Sequence, residues 1–152
     1  MAQVIDPDSF LETGSGRHWT PERNAEAWRL AYAALDRALA GGGIARVVIV
    51  CGLQGAGKST WIARQHDDAG RVYVDAALPG ARHRAPLIAI ARNHGVPVEA
   101  VWIRVPLDLA LERNRQRPPD RIVPEASIRS VARLFEPPAI GEGFSDVRIV
   151  EA

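Results

Sequence analysis

The run VVIVCGLQGAGKST, residues 47–60, limits what this chain can fold into more than any other stretch. Val47, Val48, Ile49 and Val50 are apolar and mostly β-branched, the pattern of a parallel strand covered on both faces. Gly52-Leu53-Gln54-Gly55-Ala56-Gly57 reads as a tight glycine-rich turn, and Lys58, Ser59 and Thr60 open a helix that continues through Trp61, Ile62 and Ala63. From Gly52 to Ser59 the spacing is G-x-x-x-x-G-K-[ST], the P-loop. Backbone N–H groups in such a turn line an anion-sized hollow, and the following helix adds the positive end of its dipole. Lys58 is expected to reach the β- and γ-phosphates of a nucleotide, and the Ser59 hydroxyl to bind Mg²⁺. Lys58 is also the only lysine in the chain, standing where a compact ammonium is wanted.

Length and composition narrow the remainder. A chain of 152 residues suggests one domain, large enough to bury a core without disulfides. The 47% hydrophobic content argues against disorder, and a net charge of +1 gives no global field to recruit nucleic acid or anionic lipid. The single cysteine, Cys51, rules out an internal disulfide, suits a reducing cytoplasm and reads as a packed strand residue. No apolar signal segment opens the sequence and no run is long enough to span a membrane, so a cytoplasmic location is expected. Four scattered histidines and one cysteine give no zinc spacing.

Along the chain, residues 1–19 read as an irregular surface arm ending in Arg17, His18 and Trp19. Thr20-Pro21-Glu22 is a helix start, and 20–40 is predicted helical, with Trp28, Ala31, Tyr32, Leu35, Ala38 and Leu39 on one stripe. That stripe would pack on the sheet or present itself to a partner. Val72–Val74 is predicted as a short strand ending in Asp75, a carboxylate at the crevice end of a parallel strand and thus a Walker-B-like holder of Mg²⁺ or its water. Residues 81–94 read as a helix opened by Arg82, His83 and Arg84; cations there oppose the dipole, which fits either a ligand role or a solvated surface. Residues 98–105 form the next predicted strand. Arg113 and Arg117 lie four apart on one predicted helix face, with Arg115 and Arg121 nearby and Pro118-Pro119 closing the helix, an arrangement that suggests a lid over phosphates. A further helix over 124–135 and a last strand at 147–150 complete the core.

The runs GLQGAGKSTW, VYVDAALPGARHRAP, IRVPLDLALERNRQRPP, VPEASIRSV and FEPP with the later EGF resemble the polynucleotide-kinase-type P-loop kinases, which are related to the zeta-toxin and bacterial small-molecule kinases. The resemblance spans roughly residues 46–150 and leaves the arm and the first helix outside. It implies that Lys58, Ser59 and Thr60 hold ATP and Mg²⁺, that Asp75 is the acid of the second catalytic strand, that Arg113 lies near the adenine and Arg117 on the phosphates, and that Pro137 and Pro138 line the base. Nucleic acid as a partner follows from the resemblance alone. One departure stands out. Such kinases usually carry, between the P-loop helix and the Asp75 strand, a further strand whose aspartate activates the acceptor hydroxyl. Here about a dozen residues fill that interval, so the strand is expected to be deleted. Three readings follow: Asp75 takes both roles, or Asp67, Asp68 or His83 supplies the base, or hydroxyl phosphorylation is lost.

The expected fold is α/β, a three-layer P-loop kinase domain with a small, mostly parallel sheet of about four strands and the P-loop strand central. Nucleotide-binding residues are expected at Gly52, Gln54, Gly55, Ala56, Gly57, Lys58, Ser59, Thr60, Arg113 and Arg117, metal ligands at Ser59 and Asp75, and catalytic groups at Lys58, Asp75 and Arg117. The expected function is transfer of the γ-phosphoryl of ATP to a hydroxyl acceptor, by a monomer or weak homodimer away from membranes. The alternative is a nucleotide-binding regulatory module or slow ATPase that offers the Trp28 helix to a partner.

Overall fold

The computed structural model describes residues 3–65 and 70–151. In chain order these are β1 (Gln3–Ile5), a 3-10 turn (Pro7–Leu11), β2 (Glu12–Thr13), β3 (Gly16–Arg17), α1 (Pro21–Ala40), β4 (Arg46–Cys51), α2 (Lys58–Ala63), β5 (Arg71–Asp75), α3 (Ala81–Asn93), β6 (Val98–Arg104), α4 (Leu107–Arg115), a 3-10 turn (Pro119–Arg121), α5 (Glu125–Leu134), a 3-10 turn (Ile140–Glu142) and β7 (Asp146–Glu151). The sheet order is β1-β5-β4-β6-β7, and every neighbouring pair runs parallel. The P-loop strand β4 is therefore central, and its last five residues are buried.

Both faces of the sheet are covered, as an all-parallel sheet requires. On one face Val47, Ile49, Val72, Val74 and Ala100 pack against Ala31, Leu35 and Leu39 of α1 and Leu87, Ile88 and Ala91 of α3. On the other, Val48, Val50, Tyr73, Val101 and Ile103 pack against Ile62 of α2. A smaller cluster, Ala110, Leu111 and Ile128, joins α4 to α5. No helix among the described residues is long and apolar enough to cross a membrane. Cys51 is fully enclosed, and burial pushes its thiol pKa up to about 11, so it is a packing residue rather than a nucleophile.

The segment read as an irregular arm differs from that expectation. Gln3–Ile5 pairs with β5 in parallel, Gln3 to Val72 and Ile5 to Val74, and supplies a fifth strand at the sheet edge. Alternation does not announce a strand of three residues; the exposed edge of β5 creates it by offering unpaired backbone groups. Asp6 then caps the 3-10 turn by accepting the Asp8 N–H at 3.0 Å. Antiparallel β2 and β3 form a small hairpin beyond it. Thr20 caps α1 by accepting the Arg23 N–H at 3.0 Å.

Arg84 is fully buried and belongs to the framework rather than to a ligand. Its guanidinium donates to the carbonyls of Leu78 (2.9 Å) and Glu136 (2.9 Å) and to both carboxylate oxygens of Glu142 (2.8 and 3.0 Å). A planar fork with five donors is suited to gathering three loops at one point. One of them holds Leu78 at a φ of 46°, the only positive φ at a non-glycine among the described residues.

Candidate active site

The C-terminal ends of parallel strands carry the ligand sites of α/β sheets. Here a cleft of about 1070 Å³ opens at that end. One wall is the P-loop with the Asp75 end of β5, and Arg113 and Arg117 look in from the side. The N-terminal segment and α1 complete the lining with Asp6, Asp8, Trp28 and Tyr32.

The P-loop is held from both ends. A Cβ at Gly55, whose φ is +85°, would stand 2.5 Å from the Ala110 carbonyl oxygen, so only glycine lets α4 come this close. From α4, Arg113 Nη1 donates to the Ala56 carbonyl at 3.1 Å, which fixes the guanidinium against the loop. Lys58 Nζ folds across the loop and donates to the carbonyls of Gly52 (3.0 Å) and Leu53 (2.9 Å). An ammonium has three donors, so one remains for a ligand. Burial lowers the Lys58 pKa, and the nearby Asp75 charge works against that fall.

Ser59 Oγ donates to Asp75 Oδ2 at 2.5 Å, joining α2 to the end of β5. Two hard oxygen donors side by side, next to a phosphate-sized hollow, fit the way Mg²⁺ is held by one or two protein oxygens together with nucleotide phosphates. Among the described residues no group of three or more His, Cys, Asp or Glu is placed to hold a metal by itself. Gln54 Oε1 is buried without a hydrogen-bond partner, and its residue lines the cleft. An amide oxygen accepts, so it is no partner for phosphate oxygens, which also accept. The loop and the Ser59–Asp75 oxygen pair have the chemistry to hold a Mg²⁺–nucleotide, for which Ser59 and Asp75 could supply the protein oxygens.

Other expected site residues divide. Gly55, Gly57, Thr60, Arg113 and Arg117 all line the cleft. Arg117 does so from beyond the helix rather than on one helical face with Arg113. α4 ends at Arg115 with Gln116 as its cap. The residue before a proline is driven out of the helical region, and Arg117 precedes Pro118. Burial lowers the Arg117 pKa, with Asp8 opposing and Arg17 and Arg121 reinforcing the fall. Arg115 instead pairs with Glu125 at 2.6 Å on the surface. Pro137 and Pro138 are not among the residues that line the cleft, and the chain just before them is anchored elsewhere, with Phe135 stacked on Trp102 at 4.9 Å.

Of the candidate bases, Asp67 and Asp68 lie outside the described residues. His83 lines the cleft, but its Nδ1 accepts the Gly80 N–H at 3.1 Å. Burial and the neighbouring Arg82 and Arg84 charges lower its pKa, and a ring that accepts at Nδ1 carries its proton on Nε2. It can donate to a ligand and is poorly disposed to take a proton.

Sequence reasoning missed three groups. Asp6 directly follows Ile5, the last residue of β1 and the one paired with Val74, while Asp75 follows Val74 as the last residue of β5. Its carboxyl pKa is raised, first by burial and then by the Asp75 and Asp8 charges. Nothing local marks it, because its significance depends on β1 joining the sheet. Asn114, almost fully buried, grips Val123 in both directions (Nδ2 to O, 2.8 Å; N–H to Oδ1, 3.0 Å) and anchors the loop bearing Arg117. Asp120 in the same loop accepts the Arg17 N–H at 3.0 Å, and Arg121 pairs with Glu12 at 3.5 Å, so the hairpin clasps the expected lid.

A family model described as an AAA domain matches residues 68–138. The match covers just under half of the chain, beginning after the P-loop and ending at Pro138. Match, strand order and loop agree on a nucleotide-binding, kinase-like P-loop domain. The N-terminal segment and α1, which complete the lining, lie outside the match.

Proposed function

We propose that the protein is a phosphotransferase that moves the γ-phosphoryl of ATP to a hydroxyl of a second molecule, with Asp6 as the base. The observation that carries this reading is a pair of carboxylates at adjacent strand ends in one cleft: Asp75, bonded to Ser59, and Asp6, partly desolvated beside it. One carboxylate suits the metal and the other is left for a proton. Raised basicity is what a general base at near-neutral pH needs. The edge strand thus restores, from the N-terminus, a carboxylate strand that the interval after the P-loop helix is too short to contain.

In this reading the loop N–H groups and Lys58 hold the β- and γ-phosphates, and Arg113 flanks the base. Mg²⁺ would neutralise charge on the phosphate oxygens. Asp6 accepts the acceptor's hydroxyl proton as that oxygen bonds to the γ-phosphorus. The bond from phosphorus to the β–γ bridging oxygen breaks, and ADP leaves with its electron pair. Arg117 meets charge developing on the transferred group. The regulatory-module reading gave the Trp28 helix to a partner, but Trp28 lines the cleft.

The test is transfer of label from γ-labelled ATP to a panel of hydroxyl compounds, with Asp6→Asn beside the unaltered protein. Asp6→Asn should cut transfer by ~10²–10⁴, the usual contribution of a positioned base, while nucleotide affinity stays within about twofold. Because Asp6 acts deprotonated, activity of the unaltered protein should rise with pH through a limb above the ordinary carboxylate value of 3.8, and that limb should vanish in Asp6→Asn. ATP loss that ignores every acceptor and survives Asp6→Asn would replace the kinase with a slow ATPase.

A further inference from the structure

The α1 wall of the cleft carries its own chemistry, which nothing in the nucleotide half requires. Asn24, Trp28 and Tyr32 are four residues apart and share one strip of α1. The next face of the helix, Ala27, Ala31, Leu35 and Leu39, is buried. Small alanines let α1 lie close to the framework, and that closeness turns the neighbouring strip into the cleft. All three strip residues line it. Trp28 and Tyr32 have ring centroids 5.6 Å apart at 39°, forming a continuous aromatic surface. Trp19, 62% exposed, stands at the same cleft.

Polar groups on this wall are unspent. None of the described hydrogen bonds uses the Asn24 amide, the Trp28 indole N–H or the Tyr32 hydroxyl, although partly buried Trp and Tyr usually find a partner for the polar end. The charges are uneven as well. Arg17 is engaged by Glu12 at 2.7 Å and by Asp6 at 3.9 Å, and Arg121 by Glu12 at 3.5 Å. Arg23 donates to the carbonyls of His18 and Leu11. The exposed Asp8 carboxylate makes no hydrogen bond or ion pair among the described residues. It lines the same cleft as Lys58 and Arg117. What the wall offers a ligand is therefore aromatic faces, a few hydrogen-bonding ends and one uncommitted negative charge. Aromatic faces attract cations as well as the apolar faces of rings.

We propose that the Asn24–Trp28–Tyr32 strip, with Trp19 and Asp8 in the same cleft, is the acceptor subsite, and that it takes a compact ring-bearing alcohol carrying a positive charge, such as an amino sugar or aminocyclitol. This rests on the phosphotransferase reading. The ring stacks on Trp28 and Tyr32, the ammonium faces Asp8, and one hydroxyl reaches Asp6. A cleft of about 1070 Å³ has room for a nucleotide and one compact partner, since small-molecule sites run to roughly 300–1,000 Å³.

The experiment uses the full chain and matched pairs differing in charge: glucosamine against glucose, and 2-deoxystreptamine against myo-inositol. Uridine and a 5′-hydroxyl oligonucleotide represent other acceptor classes. Binding is followed by tryptophan fluorescence with a non-hydrolysable ATP analogue and Mg²⁺ present, and transfer by labelled ATP. At least one amine should bind at least tenfold tighter than its neutral partner. Asp8→Asn should erase that preference, and Trp28→Leu should weaken both members of the pair at least tenfold while nucleotide affinity stays within twofold. Asn24→Ala, on the same strip but off the aromatic core, repeats the test if Trp28→Leu fails to fold. Amine binding that depends on Trp28 without any transfer would keep this subsite and overturn the phosphotransferase reading. Transfer to glucose, inositol, uridine or the oligonucleotide that is indifferent to Trp28 and Asp8 would do the reverse. Absence of amine binding, or equal binding within each pair, would overturn the subsite.

Discussion

The phosphate half of the cleft comes from one continuous run, Gly52–Thr60, joined by Asp75 one strand over and by two arginines on and just past α4. The half proposed for the acceptor is gathered from Asp6, Asp8 and a strip of α1, and Asp6 reaches its place because β1 adds to the edge of β5. The first half is fixed by backbone geometry: a turn that only glycines allow, a helix start and a lysine folded across the loop. The second is fixed by packing and pairing between remote segments. A phosphate looks the same in every nucleotide, so a local motif suffices to hold it. An acceptor is particular to one enzyme, and its site is assembled from parts of the chain that are free to vary.

The comparison breaks first at Lys58. Lys58→Ala should reduce transfer by ~10³, the upper range for losing one preorganised donor, and should weaken Mg²⁺–ATP binding in a calorimetric titration while acceptor binding to Trp28 and Tyr32 persists. Equal loss of both ligands would mean that the two halves are one coupled site.

Arg117→Lys comes next. It keeps the charge and loses the planar fork, so kcat should fall by ~10² with the KM for ATP little changed. Unaltered kcat in both Arg117→Lys and Arg117→Ala would make Arg117 a surface residue of the cleft rim.

Gly16→Ala probes the clasp between the halves. At a φ of +105° a Cβ would stand 2.9 Å from Asp120 Oδ2, beside the bond that Asp120 accepts from Arg17. Releasing that contact should cost roughly 1–3 kcal/mol locally, seen as faster hydrogen exchange at Arg17 and across 118–123, with only a several-fold change in turnover. Unchanged exchange there would show that the hairpin and the loop are independent.

The smallest effect is expected at His83. His83→Gln keeps an acceptor for the Gly80 N–H and should change kcat by no more than a few-fold; a loss near that of Asp6→Asn would transfer the base from Asp6 to His83. A stability measurement sharpens the Asp6 assignment in parallel. Burial raises the Asp6 pKa, so its ionised form is disfavoured in the folded state. That cost is present above the raised pKa and absent below the unfolded value of 3.8. Asp6→Asn should therefore raise Tm slightly at pH 7 and leave it unchanged near pH 3.

By itself the sequence determined the α/β fold, the central P-loop strand and the glycine-rich loop that follows it, because each rests on a short run whose local chemistry has few alternatives. Val47–Val50 can only be a buried strand, Gly52–Ser59 can only make one kind of turn, and Asp75 follows from the strand it ends. It also placed the Asp75 strand only about a dozen residues after the P-loop helix, an interval shorter than the resemblance implies. What lies at the open edge of that strand was decided by tertiary structure. Gln3–Ile5 is too short and too unpatterned to announce itself, and becomes a strand only against the open edge of β5, which carries Asp6 to the side of Asp75. Likewise Arg84, one of two arginines flanking His83 in the sequence, is set apart only by the three loops that close around it. Trp28 and Tyr32 read as packing residues and do pack against the core, but only the tertiary structure shows that they also line the cleft. Local backbone preference is written in neighbouring residues. Which remote side chains meet depends on the free energy of pairing and packing the whole chain, and that is what brings Asp6, Trp28 and Tyr32 into one cleft with the P-loop.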